Sequence, residues 1–170
     1  MIIELGTLDE GPRPFEFSLP AGGTDLDLDN VRVAGPVTAR GVVVQRTAQT
    51  EISGVITAKM ELDCVRCLCP VESRRKIEFE VAYVAPEHFA TDKEKEVTTA
   101  DLVTDVLPGN SIDLTEVVRE QIVLDLPIQA FCSEDCKGLC ATCGVNLNLI
   151  DCKCKESDFD PRWEALKNLR

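Results

Sequence analysis

The sequence predicts an α+β fold: a small antiparallel β-sheet with one packed helix, followed by a cysteine-rich C-terminal segment. Three observations carry this expectation. Apolar and polar residues alternate with period two on both sides of "CVRCLCP". A capped amphipathic helix pattern follows near residue 113. Six of the nine cysteines then fall in twenty-four residues, "FCSEDCKGLCATCGVNLNLIDCKC", from Phe131 to Cys154. The expected division is a sheet domain over 1–130, with cysteines at a hairpin tip and the helix, and a second segment over 131–170.

In chain order, residues 1–30 carry the weakest pattern, with "FEFSL" a short strand and "PAGGTDLDLDN" a Gly- and Asp-rich loop. The run "VRVAGPVTARGVVVQR" is β-branched and broken at Gly35-Pro36, as at a sheet edge or a bulge. From Ile52 to Leu62 the alternation is clearest. Ile52, Ile56, Ala58, Met60 and Leu62 share one face, and Ser53, Thr57, Lys59 and Glu61 share the other. It resumes with Val71, Ile77, Phe79, Val81 and Tyr83 against Glu72, Arg74, Lys76, Glu78 and Glu80. Two such strands joined by a short connection form an antiparallel hairpin.

"APEHFATDKEKE" reads as a charged loop. Asp113 is the expected N-cap of a helix with Glu116 three residues on, and Leu114, Val117, Val118 and Ile122 are its apolar stripe. Pro127 ends it by pushing the preceding residue out of helical geometry. A terminal helix is expected from Asp160 and Pro161, with Trp163, Leu166 and Leu169 on one side.

At 170 residues and 44% hydrophobic content the chain can bury a substantial core. The opening "MIIELGTLDEGPRPF" has no basic n-region followed by an apolar run, and no stretch reaches membrane-span length. The expected location is therefore the reducing cytoplasm, where clustered cysteines serve as metal ligands rather than disulfides. A net charge of −12 opposes simple nucleic-acid binding unless cations are gathered locally. The imbalance lies outside the cysteine-rich stretches, since residues 131–170 hold seven acids against six bases.

The cysteine spacings point to zinc. A turn bearing two cysteines three apart aims both sulfurs at one ion, and "CATCG" is such a turn, with Gly144 relieving the backbone. Cys152 and Cys154 of "CKC" leave the same face of an extended segment. Cys140, Cys143, Cys152 and Cys154 therefore make one closed site. Cys132 and Cys136 need a partner pair, and Cys64 and Cys67 of "CVRC" supply it. That second tetrad would clip together segments some seventy residues apart in sequence. Cys69, two after Cys67, is a rival ligand or a spare free thiol, with the spare thiol favoured. Cys136, Cys140 and Cys143 also match the spacing of radical S-adenosylmethionine enzymes, but too little chain follows for the barrel those enzymes use. Thioredoxin-like chemistry at "CVRC" lacks its βαβ context. The sole histidine, His88, sits in a polar loop. Two ions saturated by four thiolates each have no open position, so a structural role and a non-enzymatic protein are expected.

"CVRCL", "IDLTEVVREQIVLDLPIQAFCSEDCKGLCATCGVNLN", "CKC" and "DPRWEALKNL" resemble the large ribosomal RNA subunit accumulation protein (YceD) family over residues 50–170. The resemblance implies a cytoplasmic, non-enzymatic factor supporting 23S ribosomal RNA accumulation or processing. It also implies that the C-x-R-C pair is general, whereas some relatives lack most of the C-terminal cluster. Two ways of acting fit the charge. In the first, Arg66, Arg74, Arg75, Lys76, Lys137, Lys153 and Lys155 contact RNA of the large subunit or a pre-ribosomal particle. In the second, the acidic stretches "DLDLD" and Glu87 to Asp105 hold a basic ribosomal protein. No membrane or small-molecule substrate is expected.

Overall fold

The computed structural model describes residues 1–7, 11–47, 49–86, 104–107 and 109–154. His88, Lys155, most of the charged loop and the expected terminal helix lie outside the described residues. The chain divides into two compact units, one of residues 1–62 and 72–128, the other of residues 63–71 and 129–170.

The first unit is mostly sheet. Its strands are β1 (Ile2–Glu4), β2 (Pro12–Leu19), β3 (Val31–Val33), β4 (Val37–Gln45), β5 (Gln49–Asp63), β6 (Pro70–Val84), β7 (Thr104–Val106) and β8 (Ser111–Asp113). The long β5 and β6 run past the unit's limits at their joined ends. The main sheet has the order β2-β4-β5-β6-β7, with β3 also on β5, and β1 pairs antiparallel with β8 separately. Six residues connect β5 to β6, a length that permits only an antiparallel pair. β7 joins β6 in parallel, an exception among the described pairs that the sequence pattern does not announce.

The alternation works as the period requires: Ile52, Ile56 and Met60 are 0% exposed, and Ala58 and Leu62 lie beside them in the core. β3 and β4 take successive stretches of β5, with Val33 opposite Met60 and Thr38 opposite Thr57. The two-residue shift falls on Ala34–Pro36, where proline has no N–H for the ladder. The expected "FEFSL" strand is longer than its pattern, because β2 pairs along its whole length with β4. Gly41 of β4 is required there. A Cβ would meet the backbone oxygen of Ser53 and lie 2.8 Å from Phe15 Cζ.

The helix α1 spans Leu114–Asp125, and Leu114, Val117, Val118 and Ile122 form its buried stripe. Asp113 caps it by accepting the Thr115 N–H at 2.9 Å. Its last turn ends in Leu126 with ψ 133°, as a residue before proline must. Arg75 of β6 ties down this end, donating to Asp125 Oδ2 at 2.7 Å and to the Asp125 carbonyl at 2.9 Å. Arg119 binds the Asp-rich loop, reaching Asp27 Oδ2 at 2.7 Å and the Asp25 carbonyl at 2.9 Å. No helix among the described residues is long and apolar enough to cross a membrane.

Candidate metal centres

The second unit is built on one backbone device used twice. In "CVRCLC" the Leu68 N–H donates to the Cys64 carbonyl at 2.9 Å, and the Cys64 N–H to the Cys69 carbonyl at 2.9 Å. In "CATCGV" the Gly144 N–H donates to the Cys140 carbonyl at 2.8 Å, and the Cys140 N–H to the Val145 carbonyl at 2.8 Å. The residue after the second cysteine is left-handed in both, Leu68 at φ 58° and Gly144 at φ 71°. Each turn also points N–H groups at its first sulfur. Arg66 and Cys67 donate to Cys64, and Thr142 and Cys143 donate to Cys140. This geometry aims two sulfurs outward from one turn and partly neutralises a thiolate before any ion arrives.

Four sulfurs converge beside each turn. Those of Cys64, Cys67, Cys132 and Cys136 all lie within 4.8 Å of one another, as do those of Cys140, Cys143, Cys152 and Cys154. In the first group Cys64 and Cys136 are 3.9 Å apart and Cys67 and Cys132 are 3.5 Å apart. In the second, Cys143 and Cys152 are 3.5 Å apart and Cys152 and Cys140 are 3.4 Å apart. A tetrahedral ion with Zn–S bonds of about 2.3 Å needs sulfur pairs about 3.8 Å apart. The separations fit that requirement. They are too long for disulfides, and all nine cysteines are free. A multi-iron cluster would spread its thiolates over different iron atoms, so the compact groups suit a single ion each. Cys136 falls in one group and Cys140 and Cys143 in the other, which separates the three cysteines of the radical-enzyme spacing.

Burial separates the two groups. Cys64, Cys67 and Cys136 are buried and only Cys132 is exposed, whereas Cys143 and Cys154 are exposed in the second group. The first is further fastened by Arg66, whose Nη1 donates to the carbonyls of Glu134 at 3.1 Å and Cys136 at 2.9 Å. Its guanidinium also stacks 4.8 Å from the Phe131 ring centroid. The Val65 N–H to Ala130 carbonyl bond and the Leu139 N–H to Arg66 carbonyl bond complete this join.

Thiol acidity follows the donors. Burial pushes Cys64 up, but the N–H groups of Cys67, Arg66 and Cys132 outweigh it and bring the thiol down to about 6. The N–H groups of Cys143 and Thr142 bring Cys140 down to about 6. In the second group the sulfurs then resist further ionisation: hydrogen bonds with Cys152 and Cys143, followed by burial and their charge, push Cys154 up to about 12. A divalent cation relieves this conflict by letting all four sulfurs ionise together.

Cys69 is outside the four-sulfur group. Its sulfur accepts from Asn146 Nδ2 at 3.2 Å, and it packs beside the buried cysteines with Val71 and Leu139. Asn146 and Asn148 are polar partners that motif reading passed over, although their N-x-N spacing in the loop between Cys143 and Cys152 was a visible signal. Asn148 Nδ2 donates to Cys136 Sγ at 3.3 Å. Of the basic residues, Arg66 and Arg75 are committed to the contacts above, and Lys76 pairs with Glu78 at 3.3 Å. Arg74 lies in the field of Glu72. Lys137 and Lys153 are exposed.

The family described as "Large ribosomal RNA subunit accumulation protein YceD" matches residues 52–170. An uncharacterized protein of Mycobacterium tuberculosis is 33% identical over 147 residues, covering 86% of this chain and 63% of the relative. The "Large ribosomal RNA subunit accumulation protein YCED homolog 1, chloroplastic" of Zea mays is 27% identical over 175 residues, covering 89% and 59%. The uncharacterized protein YlbN of Bacillus subtilis is 30% identical over 147 residues, covering 86% and 80%. The chain thus spans about three fifths of the length of the first of these relatives. No solved structure matches the chain. With both four-sulfur groups inside the matched region, the chain belongs to the large ribosomal RNA subunit accumulation protein YceD family.

Proposed function

We propose that this chain is a non-enzymatic ribosome biogenesis factor that supports 23S ribosomal RNA accumulation or processing in large-subunit assembly, acting in the cytoplasm. Family membership carries the reading, through residues 52–170 and the ribosomal RNA role in the name of the maize relative. The two cysteine tetrads hold one structural zinc ion each. Four thiolates saturate each ion, leaving no position for water or substrate. The first zinc joins Cys64 and Cys67 to Cys132 and Cys136, and the second closes Cys140, Cys143, Cys152 and Cys154.

In the direct form of this function, Lys137, Lys153, Arg74 and the neighbouring Lys155 contact RNA phosphates. A specific observation favours an alternative, in which the acidic surface holds a basic ribosomal protein. Of the seven basic residues offered as RNA contacts, Arg66 and Arg75 are committed to partners in the chain and Lys76 to an exposed pair with Glu78, which leaves fewer of them to offset a net charge of −12. Pull-down with the zinc-loaded chain from ribonuclease-treated lysate separates the two. Retention of a ribosomal protein supports the acidic adaptor, whereas loss of every partner supports RNA contact. For RNA contact, affinity must fall steeply as salt rises. Purified protein holding fewer than two zinc ions would overturn the metal assignment.

A further inference from the structure

The loop between Cys143 and Cys152 does more than join two cysteine pairs. It turns back on the segment carrying Cys136. The Leu147 N–H donates to the Gly138 carbonyl at 2.9 Å, and Asn148 Oδ1 accepts the Lys137 N–H at 2.8 Å. The other end of the same amide donates to Cys136 Sγ at 3.3 Å and to Asn146 Oδ1 at 2.8 Å. Asn146 Oδ1 also takes the Asn148 N–H at 2.9 Å, so both asparagines are locked in one orientation. A residue closed into the loop of one tetrad therefore supplies a hydrogen bond to a sulfur of the other. Such a bond orients the sulfur and withdraws charge from an anionic four-thiolate site, and partners of this kind tune metal retention.

Resting on the two-zinc reading, we propose that Asn148 is a positioning residue coupling the metal centres: the ion at Cys140, Cys143, Cys152 and Cys154 holds the loop, and Asn148 transmits that order to Cys136. Emptying the second centre then loosens the ion in the first, although the two share no ligand. The coupling is reciprocal in binding free energy.

The test uses the full chain loaded with cadmium-113, read by cadmium NMR and by native mass spectrometry during chelator challenge. Cys132→Ser identifies the resonance of the first centre. Asn148→Asp keeps the oxygen that accepts Lys137 N–H but puts an acceptor where the donor faced Cys136. It should shift the first-centre resonance and release that ion about 10-fold faster. Asn148→Ala, which adds no charge, should accelerate release as well. Asn146→Asp adds the same charge nearby but keeps the oxygen used by Asn148, so its release should be accelerated less than that of Asn148→Asp. Cys154→Ser should speed first-centre release in the parent but add nothing in Asn148→Asp. Unchanged release in both Asn148 variants, equal acceleration in Asn146→Asp, or additive effects with Cys154→Ser would each overturn the coupling. Failure of the two-zinc reading is distinct, because the parent chain itself would then show fewer than two bound ions.

Discussion

The two sulfur tetrads use the same cysteine turn and do different work with it. One joins positions 65 residues apart, Cys67 and Cys132, and is mostly buried. The other joins positions 12 apart, Cys140 and Cys152, and has two exposed cysteines. From loop length alone, closing the longer span restricts the unfolded chain by roughly 1.5 kcal/mol more. Burial widens the gap by shielding the first centre from water and chelators. Local sequence sets the turn, while the distance to the partner cysteines decides whether a group joins remote segments or closes one loop.

Breaking a ligand in each centre exposes the contrast most strongly. Cys67→Ser should lose the first ion and cooperative order across residues 63–71 and 129–139, since about 10–16 kcal/mol of binding free energy accompanies a structural zinc. Cys143→Ser should lose only the second ion and leave the first bound, though less tightly. Native mass spectrometry with limited proteolysis reads both, and equal damage from the two variants would erase the distinction.

Acidification is the next largest effect. Cys64 and Cys140 are each held at about 6, below the ordinary thiol value of 9.0. Groups lowered in this way contribute stability that is fully present above about 9 and is lost as pH falls through about 6. Proton competition for the sulfurs acts in the same direction. In native mass spectra recorded from pH 8 to 5, the exposed centre should empty before the buried one.

Arg66→Ala tests what fastens the buried centre. Losing its bonds to the carbonyls of Glu134 and Cys136 should cost about 1–3 kcal/mol, seen as a lower denaturant midpoint of the zinc-loaded protein. Arg66→Lys should not fully restore it, because a point ammonium lacks the planar fork and the stack on Phe131. The smallest effects compare the turns themselves. Leu68 holds φ 58° and is 62% exposed, so Leu68→Gly should raise stability by about 1 kcal/mol. Gly144→Ala, at φ 71°, should lower it by a similar amount. Thermal unfolding of the loaded chain measures both.

Much of the fold was legible because its information is local. Period two runs from Ile52 to Leu62 with faults only at Gly54 and Val55. Asp113, Glu116 and Pro127 bracket the helix, and Gly35-Pro36 marks the break between β3 and β4. The parallel β7, the β1–β8 pair and the full length of β2 were not legible, since short or irregular strands take their identity from distant partners. Arg66 shows the same limit at the site. As a cation between two cysteines it reads as an RNA contact, and only the return of residues 131–136 presents it with carbonyls and a ring.

The sequence by itself determined the cysteine turns, the alternating strands and the capped helix, because hydrogen bonds and steric preferences within a few residues specify them. Cysteine spacing also suggested the two groups whose sulfurs converge, with Cys69 outside both; only the tertiary structure decided that Cys69 faces Asn146 and that Asn148 reaches Cys136. The two asparagine contacts depend on how segments remote in sequence fill one volume, which no spacing within a single segment encodes.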